Sequence, residues 1–208
     1  LSTNTQAHTE VHIHRDDIGA RMGMWLFLFT ELILFGGMFI IYSVYRFTHQ
    51  EEFHLAAQEL NTIIGTFNTI ILLTSSLTMV LSIVAIQRNK ISLSLFFQML
   101  TILLALFFMV NKYFEWTAKF NHGIYPGSDT LLNESSGTIL FFGLYYVMTG
   151  LHGLHVIIGV VMISIMMRFT SKGIVTHDNY VKLENTGLYW HLVDIIWIFL
   201  FPLFYLIT

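Results

Sequence analysis

Charged side chains are missing from three long runs of this chain. None occurs in the 28 positions from Leu60 to Gln87, the 21 from Ile91 to Asn111, or the 33 from Ser135 to Met167. A helix needs about 20 predominantly apolar residues to cross a bilayer core, so each run is long enough to span one. Two more runs qualify with a single acid apiece: Met22 to Tyr45 around Glu31, and Asn185 to Thr208 around Asp194. The pattern predicts five spans, at about 22–45, 63–87, 91–111, 137–168 and 185–207. They are expected to be helices. The runs lack the ten-residue alternation of barrel strands, and a spanning helix satisfies its own backbone hydrogen bonds, which lipid cannot do. The expected fold class is all-α: a polytopic membrane protein, a bundle of five transmembrane helices. Residues 1–21 read as a polar N-terminal tail and residues 22–208 as one five-helix domain without internal repeats. Ile86 to Lys90 predicts a tight turn. Lys112 to Ser136, with Gly123, Pro126 and Gly127, predicts a longer loop.

Composition narrows the class further. Only 11% of the 208 residues are charged, against about 25% in soluble domains. That argues against a soluble globule, a nucleic-acid binder and a disordered chain. With no cysteine, a disulfide framework, an iron–sulfur cluster and a zinc ribbon are all excluded. The net charge of -3 points to neither an acidic nor a basic partner. The first 20 residues lack the apolar core of a signal peptide. Their His8, Glu10, His12, His14, Asp16 and Asp17 read as a solvated tail, with metal binding by His8, His12 and His14 as the alternative. Lysine and arginine set the expected orientation. With the N-terminus inside, the inner segments carry Arg15, Arg21, Arg88, Lys90, Arg168, Lys172 and Lys182, and the outer segments carry Arg46, Lys112 and Lys119. The N-terminus is therefore expected inside and the C-terminus outside.

Ionisable side chains at membrane depth are expensive and generally face protein or water. Four places stand out: Glu31, the pair His152 and His155, His191, and Asp194. At about 1.5 Å per residue, Glu31 and Asp194 lie roughly 14 Å into their spans and His155 roughly 20 Å from the inner end of the fourth. These depths suggest one polar layer shared by the first, fourth and fifth spans. His152 and His155 share a helix face, as do His191 and Asp194, and a pairing of the latter two is geometrically easy. Three readings fit these groups: mutual satisfaction between packed helices, a proton path, or metal or haem ligation. Two histidines on one face of one helix cannot bracket a single haem iron. Gly143, Gly150 and Gly153, with Gly36 and Gly37, are expected to be points of close helix approach, within the bundle or toward another subunit. Arg168, at the inner end of the fourth span, is a candidate for holding a lipid phosphate through paired hydrogen bonds.

Local sequence adds a resemblance. Thr149-Gly-Leu-His-Gly-Leu-His-Val-Ile-Ile-Gly159 and Tyr189-Trp-His-Leu-Val-Asp-Ile-Ile-Trp-Ile-Phe-Leu200 resemble signatures of subunit III of the haem–copper oxidases. Arg21-Met-Gly-Met-Trp-Leu-Phe-Leu-Phe-Thr-Glu31 is similar to that family's helix with a buried glutamate. Asn68-Thr69 and Lys112-Tyr-Phe-Glu115 resemble two further family segments, although Lys112 stands near where members often place a second acid. The five stretches occur in family order and extend from residue 21 to 207. They resemble the five-helix bacterial form, which starts at what is the third helix of longer members.

The resemblance implies a non-catalytic core subunit of an aerobic respiratory oxidase in a bacterial cytoplasmic membrane. It implies contact with subunit I, which carries haem and copper and reduces oxygen to water with proton pumping. Subunit II and other subunits would complete the complex. This chain is expected to hold no cofactor of its own, to bind phospholipid and to support proton uptake. The Glu31 position matches a glutamate linked in the family to carbodiimide reactivity and the neighbouring uptake route. Cytochrome c oxidase is the preferred branch. Quinol oxidases and nitric-oxide-reductase-associated relatives are the alternatives. A five-helix transporter, the reading from another class, predicts a discontinuous helix at mid-membrane, and neither Pro126 nor Pro202 lies there.

Overall fold

A computed structural model describes residues 16–207. The tail positions His8, Glu10, His12 and His14 lie outside the described residues. Among the described residues seven helices follow one another: α1 (Asp17–Thr48), α2 (Gln50–Gln58), α3 (Thr62–Gln87), α4 (Ile91–Asn121), α5 (Asp129–Leu132), α6 (Ser136–Ser171) and α7 (Val181–Tyr205). Five of them, α1, α3, α4, α6 and α7, are long and apolar enough to cross a membrane. Among the described residues there is no β-strand, only an isolated bridge between Thr176 and Asn179.

Helix starts are set by side-chain caps. Asn61 Oδ1 accepts from the amides of Ile63 and Ile64 at 3.0 and 3.2 Å, Asp16 accepts from Gly19 at 2.7 Å, and Ser135 accepts from Thr138 at 3.4 Å. Each satisfies a donor that the first helical turn leaves open. Asn89, at a left-handed φ of 57°, makes the turn between α3 and α4, where the short charged segment predicts one. The largest departure is at α4. The expected loop from Lys112 begins ten residues later, at His122, because a charge ends a hydropathy run but does not end a helix whose charged side chains find partners. Two helices were not foreseen. The short α2 buries only Phe53, Ala56 and Ala57, too little apolar surface to register as a span.

The helices α3, α4, α6 and α7 form a ring, each packed on two neighbours, and α1 lies outside it against α6 and α7. Arg21 pairs with Glu184 at 2.8 Å, and Asn185 Nδ2 donates to the Ala20 carbonyl at 3.1 Å. The starts of α1 and α7 therefore share one end of the bundle. At the opposite end Phe53 of α2 closes an aromatic cluster. Its edge contacts with Tyr42 (5.6 Å) and Phe141 (5.4 Å) continue through Phe204 of α7. The Tyr42 hydroxyl donates to the Leu203 carbonyl and Thr62 Oγ1 to that of Tyr205 at 3.2 Å. These bonds serve carbonyls at the end of α7 that the helix itself leaves free.

The tight helix crossings fall at other glycines than expected. A Cβ on Gly159 would stand 2.6 Å from the Trp190 ring, and one on Gly65 would stand 2.8 Å from Phe201. Gly36, Gly37 and Gly143 have nothing within 4 Å, while Gly150 and Gly153 meet only Trp116 and Met109, at 3.3 and 3.9 Å. Small residues in sequence show where close approach is allowed. The size of the opposing side chain decides where it occurs.

Candidate functional site

Glu31 of α1 and His155 of α6 meet, with Oε2 and Nε2 at 2.8 Å. Both sit roughly 20–24 Å along their helices from the Arg21–Glu184 end, at about 1.5 Å per residue. His155 Nδ1 lies 2.8 Å from the Leu151 carbonyl, which can only accept, so Nδ1 carries a hydrogen and donates. Nε2 and Glu31 then share one proton. Either a protonated Glu31 donates to a neutral ring, or a charged ring donates to the carboxylate. In both arrangements the pair carries no net charge. Phe35 packs its ring edge on His155 at 5.3 Å, and the Tyr189 hydroxyl donates to the His155 carbonyl at 3.0 Å. The pair is not sealed. The Glu31 side chain is 14% exposed and that of His155 10% exposed, at the outlying helix α1.

The other expected members of this layer lie apart from it. His191 Nδ1 is 2.6 Å from Ser76 Oγ of α3, not paired with Asp194. Asp194 is buried, and among the described residues neither of its carboxylate oxygens meets hydrogen-bond geometry, although the Ser76 hydroxyl is close. His152 is buried between Phe108 and Trp197, with ring centroids at 5.7 and 5.2 Å, and neither ring nitrogen has a partner among the described residues. The four groups do not form one hydrogen-bonded network. Glu31 with His155 and His191 with Ser76 are separate contacts. Arg168 is exposed at the end of α6. It lies beside a shallow groove of about 440 Å³ lined by Ser92, Leu95, Phe96 and Met99 of α4. Its guanidinium has no ion pair among the described residues.

A second polar centre escaped the sequence reading. Lys112 Nζ donates to Glu115 Oε2 at 3.1 Å, to the Tyr145 hydroxyl at 3.0 Å and to the Tyr205 hydroxyl at 2.8 Å. Three donors meet three acceptors. Both phenols then donate to Glu115 Oε1, at 2.7 and 2.5 Å. The Lys112 and Glu115 side chains are only 8% and 6% exposed, so the ion pair is cut off from solvent and depends on these four groups alone. The available signal was the i,i+3 spacing of Lys112 and Glu115 inside an aromatic-rich stretch. A seam of hydroxyls along α3 and α4 was also missed: Thr78 with Thr101 at 2.8 Å and Ser82 with Ser94 at 3.0 Å. The seam ends in an Asn111 to Asn68 bond of 2.9 Å.

The chain was compared with known proteins. It matches the family model described as "Cytochrome c oxidase subunit III" over residues 2–208. It is 30% identical to a cytochrome c oxidase subunit 3 of Thermostichus vulcanus, covering 95% of this chain and 92% of that one. It is 30% identical to part of a haem–copper oxidase subunit I+III of Aeropyrum pernix, covering 90% of this chain and 22% of that longer one. A probable quinol oxidase subunit 3 of Staphylococcus saprophyticus is 28% identical, over 90% of this chain and 88% of its own length. The motif order, the five apolar helices and a match over nearly every residue agree, and the chain belongs to the cytochrome c oxidase subunit III family, within the haem–copper oxidases.

Proposed function

We propose that this chain is a non-catalytic subunit III of a cytochrome c oxidase in a bacterial cytoplasmic membrane, with its N-terminus inside. In this reading it stabilises subunit I and supports proton uptake there, while haem and copper are held by partner subunits. The observation that carries the proposal is the Glu31–His155 pair. It joins a carboxyl and an imidazole at 2.8 Å on the outlying helix, and no further acid or histidine continues from it as a hydrogen-bonded relay among the described residues. Such a pair can tune a neighbouring proton route, but it does not form a path through this chain. Contact with subunit I is supported by the large exposed apolar face of α1, including Trp25, Phe29, Leu32 and Ile33. The relative that joins subunits I and III in one chain adds support. The Arg168 guanidinium, free beside an apolar groove, fits a phospholipid headgroup.

The test is to purify the complex through a tag on this chain and measure oxygen uptake with reduced cytochrome c or with a quinol. Turnover on reduced cytochrome c, and retention of most turnover by Glu31→Gln with loss of carbodiimide labelling, are expected. Turnover on quinol alone would move the complex to the quinol branch. Loss of all turnover in a fully assembled Glu31→Gln complex would make Glu31 part of an obligatory proton path and overturn the supporting role.

A further inference from the structure

At the end of the bundle opposite Arg168, the start of α3 and the last turns of α4 line a cleft of about 950 Å³. Its walls are mostly apolar, with Ile64 and Phe67 from α3 and Phe114 from α4. Asn61, Asn111, Glu115, His122, Thr130 and Thr138 also line it, and its lysine is Lys119. This lysine is only 7% exposed, yet its ammonium makes a single hydrogen bond, 3.3 Å to the Glu59 carbonyl, and stands 5.3 Å from the Phe142 ring centroid. Among the described residues no carboxylate comes within 4.0 Å of it. The carboxylates whose fields reach it are Glu59 and Glu115, and Glu115 is already occupied by Lys112 and two phenols. The contrast with Lys112, whose three donors all have acceptors, is direct. An ammonium with donors unused beside an open cleft is placed to bind an acceptor that enters it.

The rim carries the opposite sign. Glu59 and Glu134 both line the cleft and are exposed. A simple anion would be drawn to Lys119 but repelled at the rim. A simple cation would meet the reverse. A group with an inner negative charge and an outer positive one satisfies both. The exposed apolar side chains of Ile63, Phe67 and Phe114 beside the opening provide a course for hydrocarbon chains. The short helices α2 and α5 cap this end of the bundle, so the cleft lies at the level where a bilayer presents its headgroups.

We propose that this cleft binds an aminophospholipid, with its phosphate on the Lys119 ammonium and its own ammonium at Glu134 and Glu59. The site is separate from the groove at Arg168, at the other end of the bundle, and does not depend on which electron donor the complex uses. The test reconstitutes the complete complex into nanodiscs of equal phosphatidylethanolamine and phosphatidylglycerol. Retained lipids are then counted by native mass spectrometry as detergent is raised. Lys119→Met, which keeps the stem but removes the charge, should lose one tightly held phosphatidylethanolamine per copy of this chain. Lys119→Arg should keep it, and Arg168→Ala should not affect it. Glu134→Gln removes an exposed carboxylate and leaves the fold intact. It should lower the preference for phosphatidylethanolamine about two- to fivefold, the range expected for an exposed ion pair. An unchanged phosphatidylethanolamine count in Lys119→Met would show a cleft filled by water only and overturn the proposal. An unchanged headgroup preference in Glu134→Gln would overturn the aminophospholipid assignment in favour of a bare phosphate site. If Lys119→Met does not assemble, the Glu134→Gln result decides alone.

Discussion

The buried Lys112–Glu115 centre yields the strongest prediction about stability. Removing one member of a buried ion pair typically costs about 3–5 kcal/mol, because the other charge is stranded, whereas removing both is often close to neutral. Lys112→Met strands the Glu115 carboxylate, which keeps two phenol donors at 2.7 and 2.5 Å. Glu115→Gln strands the ammonium, which keeps two phenol acceptors and the face of Trp197 at 5.3 Å. The second loss is therefore expected at the low end of that range, since the remaining contacts include a cation over an aromatic face. In the double variant the phenols can bond to the new amide and no charge is left. It should be more stable than either single variant, which requires a coupling of more than about 3 kcal/mol. The assay is dodecyl sulfate unfolding of the chain in mixed micelles, followed by tryptophan fluorescence, in which Trp197 reports on this centre. A double-variant loss equal to the sum of the two single losses would refute the reasoning. It would mean that the four groups do not act as one neutral unit.

Other outcomes follow from individual contacts. Gly159→Ala should destabilise by about 1–3 kcal/mol through overpacking against Trp190. Gly143→Ala, with open space at its Cβ, should be neutral or gain up to about 1 kcal/mol of helix propensity; the same unfolding assay checks both, and equal effects would contradict the packing. His155→Phe should reduce the amount of this chain retained in the purified complex by leaving Glu31 without its partner. Adding Glu31→Leu should restore it, because replacing both partners by apolar groups removes the buried orphan. Arg168→Ala should lower phospholipid retention at the other end of the bundle, measured by lipid mass spectrometry, and unchanged retention would count against a headgroup there.

The five spans could be read from sequence because bilayer crossing is a local demand. Every residue of a spanning run meets the same apolar medium, so the run itself carries the information. Depth was readable for a related reason. Rise per residue is constant in a helix, and counting from the polar ends put Glu31 and His155 in one layer. Choosing among partners was not a local problem. Depth alone does not choose between His155 and His191 as the partner of Glu31; their azimuth around α6 and α7 does. His191 faces Ser76 of α3, while His155 faces α1.

Lys112 shows the limit from the other side. Its position among the charged residues after Asn111 marked it as the start of a loop, and as an irregular match to the family segment. Both descriptions follow from treating a lysine as something that must reach water. Its actual acceptors come from Tyr145 and Tyr205, 33 and 93 residues further along, and no window of neighbouring residues contains them. A buried lysine is affordable here because α6 and α7 deliver two phenols to the same point as Glu115. The chain's second buried lysine, Lys119, lies two turns later on the same helix and has no such set of acceptors. One helix therefore carries one ammonium saturated by the fold and one left with donors facing a cleft. The first contributes to stability, and the second points toward a ligand from the membrane.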